Sequence, residues 1–228
     1  MPAEAFDGQT EVLVLANADD ADPGLVGAAL AARGYRLATL HREDERWPEK
    51  VTTALIVILG SEWSVYSDAV ADAVARERAF VAAAVEAHVP VLGICFGAQM
   101  LAAALGGEVL RAEHDEVGWM EVQPEPGAPV EIEPGPWFQF HRDTFTLPPA
   151  ARLLATSAVG PQAFSYGSAL AVQFHPEVTP GIVARWADAD PEPVANAGVT
   201  ADELVARTDT EQDRVAVAAA RLVDLVLA

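Results

Sequence analysis

A chain of 228 residues with a hydrophobic fraction of 51% can bury one large α/β core or two small ones, and no apolar run approaches the ~20 residues of a membrane span. Its 34 acidic residues against 14 basic ones give a net charge of −20, which disfavours nucleic acid and anionic membranes, since both need a basic face. The single cysteine, Cys95, excludes an internal disulfide and fits a reducing compartment, so the cytoplasm is the expected location. The acidic excess reads either as a solubility surface or as a patch that docks a basic partner subunit. Met1 to Thr10 is acidic and lacks the basic-then-apolar order of a signal peptide.

Glu11 to Ala16 (EVLVLA) reads as a buried first strand, followed by an Asp-rich polar turn to Gly24. Leu25 to Arg33 has helical spacing and ends at Gly34, a plausible C-cap. Tyr35 to Leu40 reads as a strand, and His41 to Lys50, charged and containing Trp47-Pro48, as a loop. Ala54 to Leu59 (ALIVIL) is the near-continuous apolar run of a parallel strand buried on both faces. Gly60 to Ser67 is a loop, Asp68 to His88 a long Ala-rich helix, and Val89 to Leu92 a strand. Then comes Gly93-Ile94-Cys95-Phe96-Gly97, and a helix over Ala98 to Leu105 that stops at Gly106-Gly107.

This β-α-β-α order predicts a doubly wound, mostly parallel, flavodoxin-like sheet, with ligands outside the carboxyl ends of its strands. After Gly107 the pattern changes to short strands punctuated by Pro and Gly: Glu108–Arg111, Trp119–Gln123, Val130–Glu133, Trp137–His141, Arg152–Ser157, Gln162–Ser165 and Leu170–Phe174. These read as antiparallel additions to the same domain, residues 1–189, which a helix over Thr179 to Ala189 completes. Asp190 to Gly198 reads as a linker. Thr200 to Ala228 reads as a helix with apolar positions at Leu204, Val205, Val215, Val217, Leu222, Leu225 and Val226, packed on the domain or on a partner.

Strand, Gly-x-Cys-x-Gly turn, helix is the sequence form of a nucleophile elbow. The glycines allow a tight turn and close approach, and the following helix N-terminus favours thiolate over thiol. A thiolate nucleophile needs a base and a group that orients the base. Of the five histidines, His175 stands out, because Val172-Gln173-Phe174-His175-Pro176-Glu177 puts it where a buried strand ends. In extended chain, residues i and i+2 face the same way, and Pro176 pushes His175 toward that geometry. Glu177 can then select the imidazole tautomer and stabilise the imidazolium.

GICFGAQ (residues 93–99) followed about 80 residues later by QFHPE (173–177) resembles the class I, triad-type glutamine amidotransferase family, over about Val12 to Ala187. Val57 to Tyr66 (VILGSEWSVY) resembles that family's Gly-Gly-Pro-x-Ser-Val-Tyr loop. Gly118-Trp119 resembles its Gly-aromatic step before a strand. Phe140-His141-Arg142-Asp143 resembles the Ser-His-Gly-Asp segment of the GMP-synthetase-like branch. The resemblance implies an amidotransferase-like fold, with Cys95 attacking the glutamine side-chain amide to give a γ-glutamyl thioester. It implies that His175 protonates the departing amine and then activates water, with Glu177 orienting it. It implies an oxyanion hole from the Phe96 N–H and the Gly60-Ser61 turn, contact of Gln99 with bound glutamine, and a backbone around Arg142 and Asp143 that holds the amino-acid end. No cofactor and no metal are expected.

The sequence departs from the family pattern at three positions. Ser61 and Glu62 stand where the loop has Gly and Pro, and Ser61 is unstrained only if its φ is negative. Arg142 replaces a glycine, and its guanidinium either meets a substrate carboxylate or forms an exposed salt bridge. His141 reads as structural, and Trp119, Trp137 and Phe138 as core. Trp63 reads equally as pocket wall or packing. His114, Asp115 and Glu116 lack a second ligand pair at metal spacing.

No segment resembles a nucleotide-binding loop or an ATP pyrophosphatase motif. The expected role is therefore a glutaminase that supplies ammonia to a separate synthetase. Two other readings stay open: a stand-alone γ-glutamyl peptidase or hydrolase using the same triad on another γ-glutamyl amide, and a non-catalytic binding protein on this scaffold.

Overall fold

The structure, a computed structural model, describes residues 10–48 and 52–228. The N-terminal stretch read against a signal peptide lies outside the described residues except for Thr10, as does the end of the His41–Lys50 loop. Strands β1 (Glu11–Ala16), β2 (Arg36–His41), β3 (Leu55–Ile58), β4 (Val91–Ile94), β5 (Val109–Pro124), β6 (Gly135–Phe145), β7 (Arg152–Thr156), β8 (Pro161–Tyr166) and β9 (Ala169–Val172) form one mixed sheet in the order β2-β1-β3-β4-β9-β8-β7-β5-β6. The first five strands of that order are parallel and the rest pair antiparallel. The parallel part has the 2-1-3-4-5 order of a flavodoxin-like sheet, with β9 as the fifth strand.

Side chains alternate between two cores, as the pleat requires. Val12, Val14, Leu55, Val57, Leu92, Leu170 and Val172 enter one core, where they meet Val26 and Leu30 of α1 (Gly24–Ala32). Leu13, Leu15, Ile56, Ile58, Val91 and Ala171 enter the other. That face is covered by Val74, Phe80 and Val81 of α2 (Ala71–Glu86) and by Met100 and Leu101 of α3 (Phe96–Ala104). Both faces of β3 and β4 are thus buried, which explains their unbroken apolar runs.

A third cluster joins Val117 and Phe138 to α4 (Pro180–Ala189), α5 (Pro191–Asn196) and the start of α6 (Ala201–Leu227). Helix α6 opens with a capping box, in which Thr200 and Glu203 satisfy each other's backbone N–H groups. Its Val215, Ala218, Ala219, Leu222, Val223 and Val226 enter the same core as α1. No helix among the described residues is long and apolar enough to cross a membrane.

Several expectations need correction. Glu108–Arg111 and Trp119–Gln123 belong to one 16-residue strand, β5, interrupted by a register shift between Arg111 and Glu116. Val130–Glu133 is no strand, because among the described residues no neighbouring strand pairs with it; Ile132 plugs into the core and Val130 packs against it. Residues 190–198, read as a linker, contain α5, whose Pro191 sits at the helix start where a missing N–H costs nothing. Asp68–Val70 forms a 3-10 turn ahead of α2. Val217, counted among the apolar positions of the last helix, is 53% exposed.

Candidate active site

The carboxyl ends of β3, β4 and β9 meet, because these strands are neighbours with Ile58 opposite Gly93 and Ile94 opposite Val172. Cys95 follows β4 directly, and its backbone N–H donates to the Val172 carbonyl at 2.9 Å, tying the turn to the end of β9. Cys95 has φ 52° and ψ −106°, outside the regions a side chain ordinarily adopts. Such a conformation costs on the order of 1–3 kcal/mol and persists only where the surroundings enforce it.

Here the hydrogen bond to Val172 and the close packing that two glycines permit enforce it. A Cβ on Gly97 would lie 2.2 Å from the Ile58 carbonyl oxygen, and one on Gly93 would lie 2.5 Å from that of Gly97. The turn closes onto β3 only because both lack side chains. Cys95 is the residue before α3, so its sulfur sits at the positive end of the helix dipole. Phe96 is the first residue of that helix, and N–H groups at this position have no partner within the helix.

His175 lies three residues beyond β9, and its backbone N–H is fixed to the Phe138 carbonyl at 2.8 Å. Its Nδ1 meets Glu177 Oε1 at 2.7 Å, both side chains being buried. Its Nε2 is buried without a hydrogen-bond partner among the described residues, close enough to Cys95 for the charges of the two groups to interact. Burial alone would pull the imidazole's pKa down, but the charges of Glu177 and Cys95 outweigh it and push the value up to about 10. The turn at Glu177 is anchored by the Leu25 N–H, which donates to its carbonyl at 2.9 Å.

Gly60 sits beyond β3 against this pair, where an added Cβ would lie 3.1 Å from His175 Cε1 and 3.8 Å from Cys95 Cβ. Ser61 is not among the non-glycine residues with positive φ, so its side chain in place of glycine introduces no backbone strain. A cavity of about 540 Å³ opens beside Cys95 and His175, lined also by Gly60, Ser61, Gln99 and Asp143. That volume suits a small-molecule cleft.

Asp143 closes one wall. Its carboxylate accepts from Ser64 Oγ at 2.5 Å and Tyr66 OH at 2.7 Å, so the loop after β3 is latched to β6. Gln99 Nε2 donates to the Asp143 carbonyl at 3.3 Å and to Gln173 Oε1 at 3.2 Å. His141 also meets that carbonyl, through Nδ1 at 3.0 Å, while its Nε2 faces Glu116 at 3.1 Å. His141 is thereby a brace for the Asp143 backbone. Arg142 stands at the rim, its guanidinium paired with Asp190 at 2.5 Å and half exposed. Trp63 lines the cavity, and Trp137 and Phe138 are core, whereas Trp119 is only partly buried.

A model of the class I glutamine amidotransferase family matches residues 28–185 of the chain. The chain belongs to that family. Among curated proteins, the glutamine-hydrolysing GMP synthase of Ralstonia pickettii is 35% identical to this chain over 150 residues, 57% of the chain and 26% of that protein. The GMP synthase of Bordetella parapertussis is 36% identical to it over 140 residues, 54% of the chain and 25% of that protein. The chain thus spans about a quarter of the length of the curated relatives it matches. Among solved structures, a glutamine amidotransferase from Thermotoga maritima superposes with a TM-score of 0.86 at 26% identity, covering 96% of this chain and 98% of that one. One from Methylobacillus flagellatus gives 0.85 at 25% identity, covering 95% and 94%. The mixed α/β sheet is therefore that of the family.

Some residues around the candidate site were not legible in the sequence. Trp186 of α4 lies with its ring centroid 4.7 Å from that of His175, and its Nε1 donates to Asp20 at 2.7 Å. Burial pushes the Asp20 carboxyl's pKa up, against the Trp186 hydrogen bond and the charge of Arg185. Asp20 lies just past the carboxyl end of β1, which is the one signal that pointed to it; Trp186, inside a helix, carried none. Arg42, the first residue beyond β2, is fully buried at the same edge.

Proposed function

We propose that the protein is the glutaminase part of an amidotransferase, with ammonia passed to a separate synthetase. Cys95 attacks the side-chain carbonyl carbon of glutamine. His175 protonates the departing nitrogen, and ammonia leaves behind a γ-glutamyl thioester. His175 then takes a proton from water as the water attacks the thioester, and glutamate is released with Cys95 restored. Glu177 holds the imidazole with Nδ1 bonded and Nε2 directed to the sulfur. The N–H groups of Phe96 and Ser61 receive the developing negative charge on oxygen. Gln99 and Asp143 shape the wall that meets the amino-acid end of the substrate, and a reducing compartment keeps Cys95 free.

The observation that carries this reading is the pairing of a buried His175-Glu177 contact of 2.7 Å with a cysteine held at positive φ beside the imidazole. The similarity to GMP synthases supports glutamine as substrate and a synthetase as acceptor. The test is release of glutamate and ammonia from L-glutamine by the purified chain and by its Cys95→Ala variant. Turnover that survives in Cys95→Ala sinks the assignment.

The cavity supports a second reading. About 540 Å³ exceeds what a single amino acid fills, and Arg142 is already engaged by Asp190 at the rim. A larger γ-glutamyl amide, such as a γ-glutamyl peptide, fits that space. Turnover of such a peptide in preference to glutamine decides for a stand-alone hydrolase.

A further inference from the structure

Arg42 has no exposed surface, and all its bonding groups converge on the base of the site. Its Nε faces the buried carboxylate of Glu77 at 3.0 and 3.3 Å. Its Nη1 donates to Asn17 Oδ1 at 2.9 Å and to the Gly60 carbonyl at 3.2 Å, and its Nη2 donates to the Leu59 carbonyl at 2.8 Å. The guanidinium carbon also lies 4.7 Å from the centroid of the Phe96 ring. One cation therefore touches both walls of the site: the turn after β3 and the first residue of α3.

A buried ion pair is a poor source of net stability, because apolar side chains of similar volume fold as well or better. Arg42 and Glu77 are more economically explained by what the guanidinium holds. In a trans peptide the carbonyl and the following N–H point in opposite directions. With the Gly60 carbonyl held on the core side by Arg42, the Ser61 N–H is directed to the other side, where Ser61 lines the cavity. Turning that peptide over would leave one Nη1 N–H of Arg42 and the buried carbonyl without their hydrogen bond.

We propose that Arg42 is a positioning residue, locked by Glu77, that sets the Gly60-Ser61 peptide plane and the seat of Phe96 so that the Ser61 and Phe96 N–H groups converge on the reacting oxygen. This rests on Cys95 acting as the nucleophile on a γ-glutamyl amide. Arg42 does not touch substrate. Lysine cannot replace it, because an ammonium lacks the planar fork that reaches Glu77, Leu59 and Gly60 together.

The test is the double variant Arg42→Met with Glu77→Met, which leaves no lone buried charge, and Arg42→Lys as a second variant that retains a cation for Glu77. For each, kcat and KM for L-glutamine or a γ-glutamyl peptide are measured beside the rate of Cys95 alkylation by iodoacetamide. Alkylation forms a C–S bond at a saturated carbon and expels iodide, so it needs the thiolate but builds no oxyanion. The expected result is a kcat lower by on the order of 10²-fold, the loss typical of one oxyanion donor, with KM and the alkylation rate unchanged. A folded double variant with wild-type kcat overturns the proposal. So does a parallel fall in alkylation, which means general disorder of the site. If the double variant does not fold, wild-type kcat in Arg42→Lys overturns it equally. A wild-type chain that turns over neither substrate, or activity surviving in Cys95→Ala, overturns the underlying function instead, and this proposal with it.

Discussion

Glu177 Oε1 lies 2.7 Å from His175 Nδ1 across a single proline, and nothing else among the described residues bonds to that imidazole nitrogen. Whenever the ring is neutral, the contact selects one tautomer: a proton on Nδ1 donated to Glu177, with Nε2 left for the sulfur. Because Pro176 fixes the chain between them, the pair is preassembled before substrate arrives.

Glu177→Gln keeps the shape but can present an amide N–H to Nδ1, which favours the wrong tautomer. We expect glutamate release to fall on the order of 10³- to 10⁴-fold while near-UV circular dichroism stays native. Loss of less than a factor of ten means that Glu177 does not orient the base.

Gly97→Ala tests how the elbow is held. The new methyl would lie 2.2 Å from the Ile58 carbonyl, a backbone atom that cannot swing aside. The cost is at least about 1–3 kcal/mol by urea denaturation, with activity lost as the turn is pushed off β3. Gly181→Ala in α4 is the control, since its methyl meets nothing closer than Thr179 Oγ1 at 3.9 Å. It should be neutral or stabilising by up to about 1 kcal/mol.

What was readable in the sequence was local. The apolar runs of β1, β3 and β4 announce strands buried on both faces, and Gly93-Ile94-Cys95-Phe96-Gly97 announces its own turn. The pairing of Glu177 with His175 follows from two-residue periodicity. What was not readable depends on register between distant segments. Nothing near Arg42 says that its guanidinium reaches carbonyls 17 and 18 residues away, or that Glu77, on α2, waits for it. Trp186 had the same ambiguity, because an aromatic on a helix looks alike whether it meets core or His175. The strand expected at Val130–Glu133 alternates properly but has no neighbour to pair with, which only the fold decides.

The charge state of His175 makes stability depend on pH. Burial lowers its pKa, but Glu177 and Cys95 raise it further, to about 10, against about 6.5 in the unfolded chain. The folded state therefore holds the proton more tightly than the unfolded state. The resulting stabilisation is fully present below about pH 6.5 and is lost as pH rises toward 10. Urea midpoints measured from pH 6.5 to 10 should fall more steeply for the wild type than for His175→Gln. Parallel slopes would falsify the raised value.

The last helix offers a contrast within one element. Leu222 of α6 is buried in the core shared with α1 and the parallel strands, while Val217 on the same helix is 53% exposed. Leu222→Ala should cost about 2–5 kcal/mol, the range for a large side chain removed from a packed core. Val217→Ala should stay within about 0.5 kcal/mol. Both are read by urea denaturation of the isolated chain at two protein concentrations. A helix that served only to dock a partner would leave the isolated chain's stability indifferent to Leu222. A large, concentration-independent loss at Leu222 instead makes α6 part of the domain that holds Cys95, so that removing the helix would unfold the site with it.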